Sequence, residues 1–242
     1  MEAILDGRLE EAIAEGDALV QLVAEQGAIL NPSALSFKLP ALLYLGRVDE
    51  ALALTSERIA KGGVRETLAE VGRRAVFLAH LGRVDEVSHL FLQLTPDAVA
   101  QLPVRDLADF LEAAVIAGLL RPTQPISNRF LNVPAFLAND SSTLSAPFVP
   151  AARLLGAALS RLGDTHGARA SYLGGLDVAT KIRHRPETAL TRLQLAELLL
   201  THYPDERTEA LEHVDFAIAE FRDMKMQPSL ERALKHKGLL RA

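Results

Sequence analysis

The sequence predicts an all-α protein in which antiparallel helix pairs follow one another in tandem and stack into a superhelical solenoid. The six residues 45–50 recur unchanged as residues 81–86, thirty-six positions later. A period of this length is typical of helical-hairpin repeats. Composition agrees with this fold, because only 5% of the 242 residues are aromatic and the core must consist mostly of Leu, Ala and Val. Such residues favour close packing between helices over a β-sandwich.

Composition and charge exclude several classes of function. The net charge of −5 gives no overall attraction to nucleic acid or to anionic lipid. The absence of Cys excludes disulfides, thiolate metal sites and a cysteine nucleophile. The N-terminus lacks the features of a signal peptide, and the longest apolar run, Ala113 to Leu120, is too short to cross a bilayer. We therefore expect a cytoplasmic protein without direct contacts to nucleic acid or membrane.

Residues that begin and end helices recur along the chain. Asn31-Pro32 and Thr95-Pro96-Asp97 each place a capping residue before a proline at the first helical position. Gly46, Gly82 and Gly163 follow apolar runs, where the left-handed conformation at a helix C-terminus favours glycine. These signals predict helices of roughly 12 to 18 residues, and the short turns between them make neighbouring helices antiparallel.

The turn glycine belongs to a wider motif, because a small apolar residue follows it at a fixed distance. The pairs are Gly7 with Ala12, Gly46 with Ala51, Gly163 with Ala168 and, in the second identical copy, Gly82 with Val87. With Leu-Gly in the first helix, Gly at the turn and Ala in the second helix, the motif resembles the tetratricopeptide repeat. The chain lacks that family's aromatic residue at the start of the first helix and most of its closing prolines.

The C-terminal two fifths of the chain, about residues 147–242, carry a narrower resemblance. Residues 185–192, 195–200 and 224–233 resemble the repeat region of bacterial signalling ATPases, nucleotide-cyclase fusions and related transcription regulators. The resemblance implies a regulatory role. Because the chain contains neither a P-loop nor a cyclase-like catalytic cluster, the ATPase or cyclase part of such a protein would lie outside it.

Residues 121–145 interrupt the period, and we predict that they join an N-terminal repeat block, 1–120, to a C-terminal repeat block, 146–242. The segment contains three prolines that we expect to disrupt a helix: Pro122, Pro125 and Pro134. It also carries large apolar residues that a disordered linker would rarely hold: Phe130, Leu131, Phe136 and Leu137. We favour an irregular but ordered crossing segment, with room for a short helix, packed on the array. A mobile linker is the alternative.

The chain opens a few residues before its first turn, Asp6-Gly7, so the first hairpin would lack most of one helix. An array that begins in this way exposes an apolar end face unless something covers it. We expect either a fragment of a larger protein or an end covered by a partner. A homodimer through the uncapped end is one such arrangement.

The search for reactive residues predicts no catalytic residue, no metal site and no cofactor. The seven His show no spacing typical of metal ligands, and no Gly-x-Ser-x-Gly or dinucleotide-binding motif occurs. The basic stretch 181–185 lacks the aromatic residues that stack on nucleic-acid bases. Catalytic groups distant in sequence can still meet in space, so a helical hydrolase that the motifs do not reveal is an alternative.

The concave face of the array is the predicted binding site. In a tetratricopeptide-like superhelix the first helix of each unit lines this face, and residues spaced by four and seven positions project together. The predicted groove residues are Phe37, Tyr44, Arg73, Phe77, His80, Arg153, Arg161, Arg192 and His202. Arg can hold a carboxylate by two hydrogen bonds, so we expect an acidic or C-terminal peptide segment or an anionic ligand. Solvated side chains on a scaffold are an equally compatible interpretation.

These observations predict a non-catalytic function. We expect a protein-interaction or sensing module of a bacterial signalling or transcriptional regulatory system, with a protein or peptide partner. The first alternative is a free-standing adaptor or assembly scaffold. The second is the helical hydrolase.

Overall fold

The computed structural model describes residues 2–25, 32–62, 66–138 and 148–241, and these residues form an all-α fold with one short pair of strands. The N-terminal helices are α1 Glu2–Leu5, α2 Leu9–Glu25, α3 Pro32–Leu45, α4 Val48–Gly62, α5 Leu68–His80, α6 Val84–Phe91, α7 Pro96–Gln101, α8 Val104–Ala117 and α9 Leu120–Asn128. After strands β1 Leu137–Ala138 and β2 Phe148–Val149 come α10 Ala151–Leu162, α11 Thr165–Lys181, α12 Arg185–His202, a short 3₁₀ turn Pro204–Glu206, α13 Arg207–Asp223 and α14 Gln227–Arg241.

The local signals for helix ends predict the observed turns. Backbone φ angles are positive at each turn glycine of the repeat motif: +75° at Gly7, +78° at Gly46, +72° at Gly82 and +87° at Gly163. Glycine adopts this conformation readily because it has no Cβ. The Thr95 hydroxyl accepts a hydrogen bond from the Ala98 N–H, which confirms the predicted cap of α7. Asn31, the other predicted cap, lies outside the described residues.

Consecutive helices pack against one another, which gives the predicted array of helix pairs. Contacts between consecutive helices are extensive from α10 through α13. The pattern differs where α6 and α7 are short, because α5 packs there directly on α8. Gly72 on α5 makes that contact possible: a Cβ at this position would lie 2.9 Å from the ring of Phe110. Phe110 is fully buried and meets Phe91 edge to face, with 5.4 Å between ring centroids.

The predicted irregular segment is helical in its first third. Residues 121–128 belong to α9, the short helix for which the sequence left room, although we expected Pro122 and Pro125 to disrupt a helix there. Pro122 stands in the first turn of that helix, where backbone N–H groups have no intrahelical acceptor to lose. Beyond α9, Phe130 is buried, and β1 pairs with β2 in antiparallel register. The segment therefore packs on the array as far as it is described, and residues 139–147 lie outside the described part.

The two ends of the array contact each other. Helix α14 packs on α3 and α1 packs on α12, so the C-terminal block covers the first turn of the chain. Gly7 lies against Met224 so closely that a Cβ would overlap its side chain. Arg185 also donates a hydrogen bond of 3.0 Å to the carbonyl of Asp6. Ile4 is only 2% exposed, so the chain's own C-terminal block covers the apolar surface at this turn, where we expected a fragment boundary or a partner. The homodimer stays a prediction.

Candidate functional site

Five helices that each begin a helix pair, α3, α5, α8, α10 and α12, surround a cavity of about 290 Å³ together with α14. We call it the central cavity. A second cavity of about 630 Å³, the distal cavity, adjoins it. The two cavities share five lining residues: Val115, Ile116, Ala157, Gln194 and Arg232. We call the two cavities together the cleft.

The cleft runs along the axes of α10 and α12. On α10, Arg153 lines the central cavity and Arg161 the distal one. On α12, Glu187 lines the central cavity and His202, the last residue of the helix, lines the distal one. In both helices the N-terminal part faces the central cavity and the C-terminal end faces the distal cavity. A ligand lying along these helices could therefore touch both.

A buried ion pair crosses the central cavity. Arg153 Nε lies 2.5 Å from Glu187 Oε2, and the phenol of Tyr44 donates a hydrogen bond of 2.7 Å to Oε1 of the same carboxylate. Burial acts to raise the pKa of Glu187, but the charges of Arg153 and His184 and the two hydrogen bonds outweigh it, so the pKa is lowered. Glu187 is therefore held ionised. Burial and the Glu187 charge raise the pKa of Tyr44 far above its usual value.

A second pair joins α5 to α8. Arg73 Nε lies 3.0 Å from Asp109 Oδ2, and both side chains are largely buried. Burial, together with the nearby negative charges of Glu112 and Asp106, raises the pKa of Asp109 to about 6. The positive charge of Arg73 acts in the opposite direction but is outweighed. The Arg73 charge is therefore fully compensated only above that pH.

Glu112 is the third carboxylate of the central cavity. Its Oε1 lies 3.5 Å from Nη2 of Arg153, whose guanidinium already bonds Glu187. The Glu112 side chain is 20% exposed, whereas that of Glu187 is 1% exposed. Within the described part of the chain, Glu112 shares this arginine and has no cation of its own. The central cavity therefore holds one more carboxylate than its two buried arginines compensate.

An ion pair between Arg232 and Glu197 stands where the two cavities meet. Arg232 Nε lies 2.6 Å from Glu197 Oε1, and His236 Nε2 lies 2.9 Å from the same oxygen. Burial opposes ionisation of Glu197, but His236 and Arg232 prevail and lower its pKa. Arg232 is thus neutralised by its own partner.

The distal cavity has the opposite balance of charge. Arg161 and His202 line it, and both residues are exposed. Among the carboxylates of the described residues, none forms an ion pair with either side chain. The surrounding wall combines apolar groups such as Ile116 and Leu198 with the polar Ser160. The distal cavity therefore offers an uncompensated cation beside apolar surface.

The structure brings most of the predicted groove residues together. Those in the central cavity are Tyr44, Arg73, His80 and Arg153, and those in the distal cavity are Arg161 and His202. Phe77 instead lies in the core with no exposed surface. Arg192 stacks on the ring of Phe216, 4.2 Å from its centroid, on the side of α12 that faces α13. The side chain of Phe37 lies outside the described residues.

The sequence interpretation missed the carboxylates that accompany these arginines. Asp109 follows Arg73 by thirty-six positions and Glu187 follows Arg153 by thirty-four, close to the thirty-six of the identical motif. Equivalent positions of successive repeats lie side by side in such an array. An acidic residue one repeat after a basic residue is therefore a signal that could have indicated these ion pairs.

The described residues contain no group of three or more His, Asp or Glu side chains that could hold a metal ion. His80 lines the central cavity, and burial lowers its pKa, so its imidazole is mostly uncharged at neutral pH.

None of the described helices combines the length and apolar character of a membrane span. No protein-family model and no curated protein matches the chain. The geometry of the cleft is therefore the basis for a functional proposal.

Proposed function

We propose that the protein is a non-catalytic binding module that holds a carboxylate-bearing ligand, such as a peptide C-terminus, in the cleft. The observation that carries the proposal is that Arg161 and His202 both line the distal cavity. Neither side chain has an acidic partner among the described residues. A guanidinium gives a carboxylate two parallel hydrogen bonds. By contrast, Arg73 and Arg153 are already occupied by Asp109 and Glu187.

The dimensions of the cleft favour a small or extended ligand. Ligand pockets of proteins usually measure about 300 to 1,000 Å³ and combine apolar walls with a few polar groups. The distal cavity, at about 630 Å³, falls within this range, and the central cavity, at about 290 Å³, lies at its lower limit. Cavities of these volumes suit a small molecule or a short extended segment.

A ligand in this position would affect the whole array. The central cavity is lined by helices from both repeat blocks, from α3 and α5 through α10, α12 and α14. A molecule that fills it changes the packing among those helices, and small shifts between packed helices are a known means of transmitting binding. Together with the resemblance of residues 185–192 to bacterial regulators, this supports a sensing role in signalling or transcriptional control.

Equilibrium dialysis of the full chain against a library of unprotected tripeptides tests the proposal, with bound peptides identified by mass spectrometry. The same library with C-terminal amides lacks the carboxylate charge. We expect the amides to be retained about tenfold less, because a hydrogen-bonded ion contributes roughly 1.5 to 3 kcal/mol. Arg161→Gln should lower retention of the acids to the level of the amides. Arg222→Gln, an exposed cation away from the cleft, is the control. Equal retention of acids and amides would overturn the proposal.

A further inference from the structure

Resting on the proposed function, we infer that the ligand is a short peptide with both ends free, three or four residues long, which lies along the cleft. Its N-terminal ammonium meets Glu112 in the central cavity and its C-terminal carboxylate meets Arg161 in the distal cavity. The inference adds a second charged end and a length to the carboxylate-bearing ligand proposed above.

Charge in the central cavity favours a cation. Each buried arginine has a carboxylate of its own, Asp109 for Arg73 and Glu187 for Arg153, which leaves Glu112 in excess. Glu112 is accessible from the cavity, and its 3.5 Å distance to Arg153 is long for a charge-assisted hydrogen bond. An ammonium group presents three donors and one positive charge, so it would complete this set.

Charge in the distal cavity favours an anion, as Arg161 and His202 are the groups without an acidic partner among the described residues. The cleft is thus polarised along its length, with the acidic end in the central cavity and the basic end in the distal one. Arg232, which lines both cavities, does not alter this balance because Glu197 neutralises it. A ligand with opposite charges at its two ends matches this arrangement.

Helix geometry gives the length of the ligand. Glu112 lies beside Arg153, and Arg161 follows eight residues later on the same helix, α10. At about 1.5 Å of rise per residue, the two arginines are roughly 12 Å apart along the axis. An extended chain spans about 3.3 to 3.6 Å per residue, so three or four residues cover that distance.

Gln194 offers an independent indication of a peptide. Its side chain stands in the wall common to both cavities, between the two charged ends. Its Oε1 is buried and has no hydrogen-bond partner among the described residues. A buried acceptor without a partner is costly. Because the Gln194 side chain is only half-buried, a turn of its amide towards the cleft would let Oε1 accept a hydrogen bond from a backbone N–H of an extended peptide.

Three forms of one peptide library distinguish this inference from the proposed function. The unprotected, N-acetylated and C-amidated tripeptides differ only in their terminal charges. The inference predicts about tenfold lower retention of the acetylated form as well as of the amide, since each lacks one charge-assisted contact. If acetylated and free peptides are retained equally, the ammonium site is wrong although the carboxylate site stands. If amides and acids are retained equally, the proposed function fails first. If no form is retained, both fail.

Variants and peptide length complete the test. Glu112→Gln should reduce retention of free tripeptides to that of the acetylated ones, while Glu86→Gln, on the surface of α6, should change nothing. Dipeptides should bind about tenfold more weakly, because they cannot reach both charges. Retention of dipeptides equal to that of tripeptides would overturn the predicted span. These length and acetylation experiments use the unaltered protein, so they decide the inference even if Glu112→Gln does not fold.

Discussion

Tyr44 on α3 donates a hydrogen bond to Glu187 on α12, 143 positions later in the chain, at an oxygen-to-oxygen distance of 2.7 Å. The same carboxylate bonds Arg153 on α10. One buried anion therefore ties the N-terminal repeat block to two helices of the C-terminal block, and it does so in the wall of the central cavity. The shape of the candidate site and the closure of the array depend on the same contacts.

Tyr44→Phe removes the hydroxyl and keeps the ring. We expect the free energy of unfolding to fall by about 1 to 3 kcal/mol, because a buried ionised acceptor loses one of its donors. Urea denaturation at neutral pH measures the loss. Tyr203→Phe is a matched control, since the Tyr203 hydroxyl is buried and has no hydrogen-bond partner among the described residues. A loss at Tyr44 no larger than that at Tyr203 would show that the bond to Glu187 does not stabilise the fold.

The two identical motifs allow a direct test of the closure. Gly46 and Gly82 have nearly the same backbone, with φ of +78° and +72°. A Cβ at Gly46 would overlap the ring of Pro228 on α14, whereas at Gly82 no atom of the described residues lies within 4 Å. Gly82→Ala should cost about 1 kcal/mol for the left-handed conformation. Gly46→Ala should cost about 1 to 3 kcal/mol more, from overpacking. Equal losses in thermal unfolding would mean that α14 does not pack on this turn.

Asp109 predicts a dependence of stability on pH. Its pKa in the folded protein is about 6, above the usual 3.8, so the folded state binds the proton more tightly than the unfolded state. Its contribution to stability is therefore complete below about pH 3.8 and is lost as the pH rises through 6, by about 3 kcal/mol at 1.36 kcal/mol per pKa unit. The difference in unfolding free energy between wild type and Asp109→Asn, measured in urea from pH 4 to pH 7, should change by most of this amount, about 2.4 kcal/mol. A constant difference would contradict the raised pKa.

Much of the fold could be predicted from local residues. Turn glycines and helix caps act within a few positions, so Gly7, Gly46, Gly82 and Gly163 identified four turns correctly. The contact of Met224 with Gly7 has no such local signal, because it depends on the accumulated rotation of the whole array. Pro122 and Pro125 were misleading for a different reason. Pro122 stands in the first turn of α9, where proline is tolerated, and the helix continues through Pro125 although proline usually disrupts a helix interior.

The candidate site was predictable in part. Assigning the first helix of each pair to the concave face placed Tyr44, Arg153 and Arg161 at the cleft, because the helical period fixes which side chains share a face. It could not show that Arg153 is neutralised by a carboxylate on a neighbouring helix. That pairing depends on how neighbouring helices are aligned along their axes, which the sequence of one helix does not reveal. Because Arg153 is already neutralised, the arginine available to a ligand anion is Arg161 in the distal cavity.

The most direct test of the central claim is to fill the cleft. Ile116 lines both cavities and is 37% exposed, so Ile116→Trp should occupy the space without disturbing the core. Leu92→Trp, at a position 76% exposed and away from the cleft, is the control. We predict that Ile116→Trp keeps the wild-type melting temperature and loses retention of unprotected tripeptides in equilibrium dialysis, while Leu92→Trp retains them. Undiminished retention by a folded Ile116→Trp protein would contradict the claim that the cleft is the binding site.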